Sequence, residues 1–325
     1  VIQRYSLAGT YRRALVTGGA GFVGSHLVDS LLADGLEVVS LDDYSAGKAE
    51  NLTQCHRFKG FQEVNYDITE AGGLNRFFEG VDVVFHQACS KNTVCLRDPA
   101  RDLAVNALGT LNVLTAARAA GVKKFVHEST GSVYGEPAIF PSDEKHPLDP
   151  VSYYGVSKLA GDRYARLFHH LFKMDVAILR YYHVFGPRQD NSEVGGVVSI
   201  MARRVLENRP ITIYGDGTQI RSFTYVGDVV DINKMAAQTP ATAGNTYNCA
   251  SGIKVTIQEL AEAIRAYFKR PDLAIQYEDW KVGDIKRFEV DNAKLKKLGF
   301  TFATDFQTGL ALTMESVRQY VTGKA

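Results

Sequence analysis

Ala14-Leu-Val-Thr17-Gly18-Gly-Ala-Gly21-Phe22-Val23-Gly24-Ser-His26 decides the fold. Residues of a buried strand run straight into glycines at 18, 21 and 24, and an amphipathic helical pattern over 22–34 follows. In a strand–turn–helix of this kind Gly18 permits the tight turn, Gly21 lets a pyrophosphate approach the backbone, and Gly24 permits close helix packing. The phosphates then meet the positive N-terminus of the helix. The second strand ends in Leu41-Asp42-Asp43. A carboxylate there accepts hydrogen bonds from both hydroxyls of an adenosine ribose and repels a 2′-phosphate, which favours NAD over NADP. Lys48, in the segment that follows, works against that preference. Asp67 and Ile68, after the third strand, hold the adenine amine and its apolar face, or else Asp67 caps its own loop.

Outward from the loop, short apolar runs at 14–17, 37–41, 81–85, 124–127 and 175–179 read as buried parallel strands. Helical patterns at 22–34, 98–120 and 154–172 lie between them. The alternation predicts an α/β fold, a doubly wound parallel Rossmann sheet over 1–180 with returning segments near 222–250. After Arg180 helices near 197–207, 257–269 and 305–321 alternate with short strands near 211–214, 222–226 and 274–278. A smaller C-terminal α/β lobe for substrate is expected over 181–325. The 325 residues suffice for a sizeable core. Lys plus Arg is 37 and Asp plus Glu is 36, so the charge balance gives no reason to expect nucleic acid or an anionic membrane as partner. Cys55, Cys89, Cys95 and Cys249 have no metal-ligand spacing, and no metal is expected. Cys89 and Cys249 read as small core residues, which suits a reducing compartment. No apolar run approaches membrane-spanning length, and Val1-Ile-Gln-Arg-Tyr-Ser lacks the apolar stretch of a signal peptide. A soluble, cytoplasmic protein is expected.

Ser152-Tyr-Tyr154-Gly-Val-Ser-Lys158 carries the chemistry. A phenol and an ammonium four residues apart share one helical face. Tyrosine ionises near pH ~10 and is a poor base at neutrality; a fixed ammonium favours the phenolate and lowers that value. The pair therefore suits removal of a proton from an alcohol while hydride leaves its carbon. On its own, the same spacing also fits two surface residues.

With the glycine loop, Asp42 and this pair, the chain resembles the extended short-chain dehydrogenases, and within them the nucleotide-sugar 4-epimerases. The likeness runs through His86-Gln-Ala88, Asp98-Pro99, Asn106-x-x-Gly109-Thr, Ser132-Val-Tyr-Gly135, Pro150-x-x-x-Tyr154, Arg180-Tyr-Tyr and Phe185-Gly-Pro-Arg188-Gln. It continues through Tyr214-Gly-Asp-Gly-Thr-Gln-Ile-Arg221, Asp228, Tyr247-Asn248 and Gly283-Asp284. The resemblance implies a catalytic triad of Thr130, Tyr154 and Lys158. In it Tyr154 is the base, Thr130 orients the reacting hydroxyl, and Lys158 holds the nicotinamide ribose; Tyr153 points elsewhere. It also implies that Phe22, Val23, Asp43, Gln87, Ala88, Asn106 and Tyr181 border the cofactor. Dehydratases of the family carry Asp-Glu after the threonine, and decarboxylases keep a Glu where Ser132 stands. Gly131 and Ser132 offer neither carboxylate, which leaves oxidation at C4, rotation of the keto sugar and reduction from its other face. The alternatives are a 4-keto sugar reductase of the same family and a protein that senses dinucleotide without catalysis.

For the substrate, the resemblance implies contacts from Lys91, His183, Val198, Arg221, Lys281, Asp284 and Phe288. His183 replaces the usual Asn and is either a donor to the diphosphate or a satisfied core histidine. Arg221 clamps the diphosphate. Lys281 replaces the usual Arg with a point charge. Lys91 meets a carboxylate or diphosphate, or faces solvent. Phe288 excludes an N-acetyl group, and Asp190 stands where an acidic sugar would meet an Arg. A plain UDP-hexose follows. The helices at 98–120 and 154–172 resemble the dimer seam of the family, so a homodimer is expected.

Overall fold

The computed structural model describes residues 4–280, 285, 287 and 289–323. Its centre is a seven-stranded sheet. The strands β1 (Arg13–Thr17), β2 (Glu37–Asp42), β3 (Phe61–Asn65), β4 (Val83–His86), β5 (Lys124–Thr130) and β6 (Val176–Tyr181) lie in the order β6-β5-β4-β1-β2-β3. Each neighbouring pair among them is parallel, and Asn245–Cys249 lies beside β6. After β3 the chain returns to the other side of β1, so the strand order reverses between β1 and β4, where open sheets of this kind bind their ligands. Thr17 pairs in register with both Leu41 and His86, and Thr130 with Tyr181. The carboxyl ends of these strands therefore share one edge, which bears the residues the sequence singles out.

Burial on both faces explains the near-continuous apolar strands; β4 and β5 are buried at every position. On one face Leu15, Val39, Val84 and Phe125 pack with Val113, Leu114 and Phe168 of the helices Thr110–Ala119 and Tyr153–Phe172. Each such side chain contributes about 1.5–3 kcal/mol on leaving water. The opposite chemistry also occurs inside. His86 and His127 stack with ring centroids 5.5 Å apart, and His86 Nδ1 shares a 2.7 Å hydrogen bond with Thr17 Oγ1.

The expected helix 98–120 is interrupted. Pro99–Leu103 and Thr110–Ala119 are α-helical, and Ala104–Gly109 between them is a π-helical turn. The expected strand at 222–226 is two short strands, Ile220–Ser222 and Thr224–Tyr225, after which Val226–Gln238 is a helix.

The chain forms two compact units. The first takes in the described residues through Val133, then Pro150–Tyr181 and Val229–Tyr247. The second takes in Tyr134–Asp149, Tyr182–Asp228 and the described residues from Asn248 onward. Its longer helices are Val197–Leu206, Ile257–Tyr267 and Phe306–Thr322, and the second of these opens with a Thr256/Glu259 capping box. Phe185, Phe223, Tyr225 and Phe306 form its aromatic core. Asn248 is its polar hub: Oδ1 accepts from Tyr134 (2.8 Å) and Tyr182 (3.2 Å), and Nδ2 donates to the carbonyls of Ser142 and Asp291. Asp228 accepts from the amides of Ala303 and Thr304. Among the described residues no helix is long and apolar enough to cross a membrane.

Candidate active site

The glycine loop forms a cradle. Gly18 has φ +65°, and a Cβ there would lie 2.8 Å from the Ala88 backbone. Only glycine combines that conformation with that approach. The helix that follows, Phe22–Ala33, has Gly21 as its N-cap, with no side-chain cap and no acidic residue in its first turn. Phe22 and Val23, half-buried, open that turn. An uncapped helix start facing a glycine turn fits a diphosphate. Beside it, Asp42 accepts from the amides of Ala20 (2.9 Å) and Tyr44 (2.9 Å). Burial pushes its carboxyl up, and those amides oppose the shift. The amides fix the carboxylate and leave lone pairs for a ribose.

Asp43 and Asp67 are brought together by a residue the sequence reading did not select. Arg101 donates from Nη2 to Asp43 and from Nη1 to Asp67, each at 2.7 Å. Burial alone would raise the Asp67 carboxyl, but the Thr69 amide and Arg101 together hold it below the usual range. Asp67 thus combines a loop-capping bond with an ion pair. Ile68 contributes its side chain to the core and its carbonyl to Asn112. Gln87 and Tyr181 meet, since the Tyr181 hydroxyl donates to Gln87 Oε1 (3.1 Å). Asn233, also absent from the sequence reading, donates to the same hydroxyl at 2.6 Å. Asn106 lies on the π-helical turn, wholly buried. Its amide accepts from the Ser90 amide (2.8 Å) and donates to Asp102 and Ser157 (both 3.0 Å), so it ties the Ala88–Lys91 loop to the helix Tyr153–Phe172. Asn106 therefore acts on its surroundings by positioning that loop, and its polar atoms are spent within the protein. Lys91, half-buried, is the N-cap residue of the short helix Asn92–Cys95.

The helix Tyr153–Phe172 starts at Ser152, whose Oγ accepts from the Gly155 amide (3.1 Å). A Cβ at Gly155 would lie 2.8 Å from the Ser132 carbonyl oxygen, so this glycine lets the helix rest on the turn after β5. The contact brings the Tyr154 phenol near Thr130, whose hydroxyl donates to Ser132 Oγ (3.2 Å). Tyr153 is 56 % exposed on the far side. Lys158, buried, does not stand free beside the phenol. Its Nζ donates to the Glu128 carbonyl (2.7 Å) and forms an ion pair with the Glu128 carboxylate. The expected lowering of the Tyr154 pKa does not prevail: burial, and next the Glu128 charge, push the phenol well above its ordinary value. Glu128 was missed because its role lies in Lys158, 30 positions away, although a carboxylate two residues before Thr130 in a buried run was a signal. Cys89, burial-raised to about 12, is a neutral thiol in the same neighbourhood.

In the second unit Arg221, buried on the strand Ile220–Ser222, pairs in register with Val255. His183 sits at φ +37°, a left-handed conformation that few non-glycine residues adopt. Burial, and then the neighbouring Arg221 charge, lower its pKa to about 3, so its imidazole is neutral. Val198 is buried at the start of Val197–Leu206. Lys281, Asp284 and Phe288 lie outside the described residues.

A doubly wound sheet with a glycine cradle after β1, an aspartate at the end of β2 and a Thr/Tyr/Lys centre suits a nicotinamide-nucleotide enzyme of the extended short-chain dehydrogenase kind. The chain belongs to the NAD dependent epimerase/dehydratase family, whose model matches residues 14–250. NAD is its cofactor. A UDP-glucose 4-epimerase of Mycolicibacterium smegmatis is 39 % identical over 94 % of this chain and 98 % of its own length. Among solved structures, the UDP-glucose 4-epimerase of Thermotoga maritima with UDP-glucose has a TM-score of 0.90 at 33 % identity, covering 95 % of this chain and 99 % of that one. The UDP-glucose 4-epimerase of Thermus thermophilus in complex with NAD has a TM-score of 0.86 at 37 % identity, covering 94 % and 99 %.

Proposed function

We propose that the protein is an NAD-dependent nucleotide-sugar 4-epimerase acting on a UDP-hexose of the UDP-glucose/UDP-galactose type. The observation that carries this reading is the Thr130–Tyr154–Lys158 centre at the sheet edge that bears the phosphate cradle, with Gly131 and Ser132 in place of the carboxylates that dehydration needs. The similarity to UDP-glucose 4-epimerases over nearly the whole chain supports it.

Gly18, Gly21, Gly24 and the amides of the following helix would hold the diphosphate of NAD, Asp42 its adenosine ribose, and Lys158 the nicotinamide ribose. When bound, NAD supplies a hydride acceptor that gives the same hydride back. Tyr154 takes the proton of the C4 hydroxyl and returns it after the keto sugar has turned, so no proton is gained or lost over the cycle. Thr130 shares the hydrogen bond of that hydroxyl. Arg221 carries the charge that a sugar diphosphate needs, and neutral His183 one ring N–H. The first unit is the cofactor domain in this reading and the second the nucleotide-sugar lobe.

We also infer a homodimer. Tyr153, Val156, Leu167 and Leu171 form an exposed apolar stripe on the helix whose other side is buried, and Leu103 and Leu108 extend it. Four cysteines present as thiols suit a cytoplasmic location. Purified protein incubated with UDP-glucose or UDP-galactose, without added cofactor, should interconvert them. Absence of interconversion for UDP- and dTDP-hexoses, even with NAD supplied, would refute the activity.

A further inference from the structure

We infer that Glu128 is a positioning residue that sets the charge of the catalytic centre: by holding and cancelling the Lys158 ammonium, it keeps the proton on Tyr154 until the positively charged nicotinamide is in place. The geometry is specific. Glu128 lies on β5 two residues before Thr130, is 7 % exposed, and engages Lys158 through both its carbonyl and its carboxylate. Lys158 is 2 % exposed, so the pair is shielded from water. Two of the three ammonium N–H groups are thereby committed to Glu128, and one is left for a ribose hydroxyl.

The neighbouring groups leave Glu128 as the deciding charge. Cys89, on the loop after β4, is a neutral thiol. Burial drives His86 and His127, on β4 and β5, towards the neutral form. Asp162 is spent on Arg180, which donates to it at 3.0 Å. Asp102, on the helix Pro99–Leu103, accepts from Asn106 and is a second anion near the centre, with a smaller effect on Tyr154 than Glu128. Lys91, on the Cys89 loop, is a further cation. An ammonium paired with its own carboxylate favours the phenolate less than a bare one, whereas a cationic ring entering the same desolvated site adds an unpaired positive charge.

This inference rests on Tyr154 being the base, and the test separates the two claims. Tyrosinate absorbance of the full chain, freed of nucleotide and then saturated with NAD, is titrated against pH, with Tyr154→Phe as the blank. In the wild type one tyrosine should titrate at least about one pH unit lower once NAD is bound. In Glu128→Gln the same tyrosine should already titrate lower without NAD, and NAD should shift it less. A Glu128→Gln titration superimposable on the wild type overturns the role of Glu128. If that variant does not fold, the wild type still decides: a Tyr154 titration unmoved by NAD overturns the inference. If instead Tyr154→Phe keeps its epimerase activity, the assignment of the base fails first.

Discussion

Tyr154 can be tested without disturbing the cradle. Tyr154→Phe removes the proton acceptor but keeps the ring, so turnover should fall by about 10²–10⁴-fold while NAD affinity stays near the wild-type value. Calorimetric titration with NAD beside an epimerase assay checks both halves, and joint loss of binding and activity would mean the phenol is structural. Arg101 makes the opposite prediction. Arg101→Ala leaves Asp43 and Asp67 as facing carboxylates without their shared cation, and the Kd for NAD should rise about tenfold, ~1.4 kcal/mol, with little effect on saturated turnover. An unchanged Kd would show the clamp to be surface pairing. These two residues mark what a sequence discloses. Tyr154, Lys158 and Asp42 were legible because their spacing from a glycine turn or from each other has a chemical meaning. Arg101 and Glu128 were not, because their meaning lies in partners 58 and 30 positions away.

At the scale of elements, the strands and long helices were legible because burial writes a period into the sequence, and Leu15, Val39, Val84 and Phe125 repeat it. The π-helical turn at Ala104–Gly109 has no such signature, since one added backbone position barely disturbs an apolar pattern. The helix Val226–Gln238 was hidden for another reason. Asp231, Asn233 and Lys234 interrupt its apolar pattern although all three are buried, where Asp231 pairs with Arg4, Asn233 with Tyr181 and Lys234 with Asp34. Tyr247-Asn248 was read as a family motif whose work the sequence could not state. That work is the hub of the second unit, and it carries its own prediction. Asn248→Leu removes the acceptor of the Tyr134 and Tyr182 hydroxyls and the donor to the Ser142 and Asp291 carbonyls, four hydrogen bonds in a buried site at about 0.5–1.5 kcal/mol each. The thermal midpoint should fall by several degrees in calorimetry, and a midpoint within a degree of wild type would refute the hub.

The whole molecule should report its buried histidines through the pH dependence of its stability. His86 and His127 stack inside the first unit and His183 sits beside Arg221 in the second; burial is the largest cause of depression in all three. Each is neutral in the folded chain and titrates near pH ~6.5 once unfolded. Below that value the unfolded state binds more protons, so stability rises with pH and is lost on acidification, by about 1.4 kcal/mol per pH unit for each histidine fully engaged. The raised carboxyls of Asp42, Asp102 and Glu144 act with the opposite sign, because the folded state keeps their protons above the ordinary carboxyl range. The histidine slope is therefore fullest about one unit below pH ~6.5; further down the raised carboxyls blunt it and the lowered carboxyls of Asp67 and Asp162 act against that blunting. Denaturant unfolding at pH 7.5 and about one to two units lower should show a marked loss of stability. His183→Asn separates the share of one residue. Asparagine accepts the left-handed backbone at φ +37° more readily than histidine and cannot be protonated. The variant should fold, match or exceed wild-type stability at neutral pH, and lose less on acidification, by up to one proton's slope. An identical pH dependence in the two proteins would mean that His183 is charged or solvated in the folded state, and the neutral donor assigned to the sugar diphosphate would fail with it.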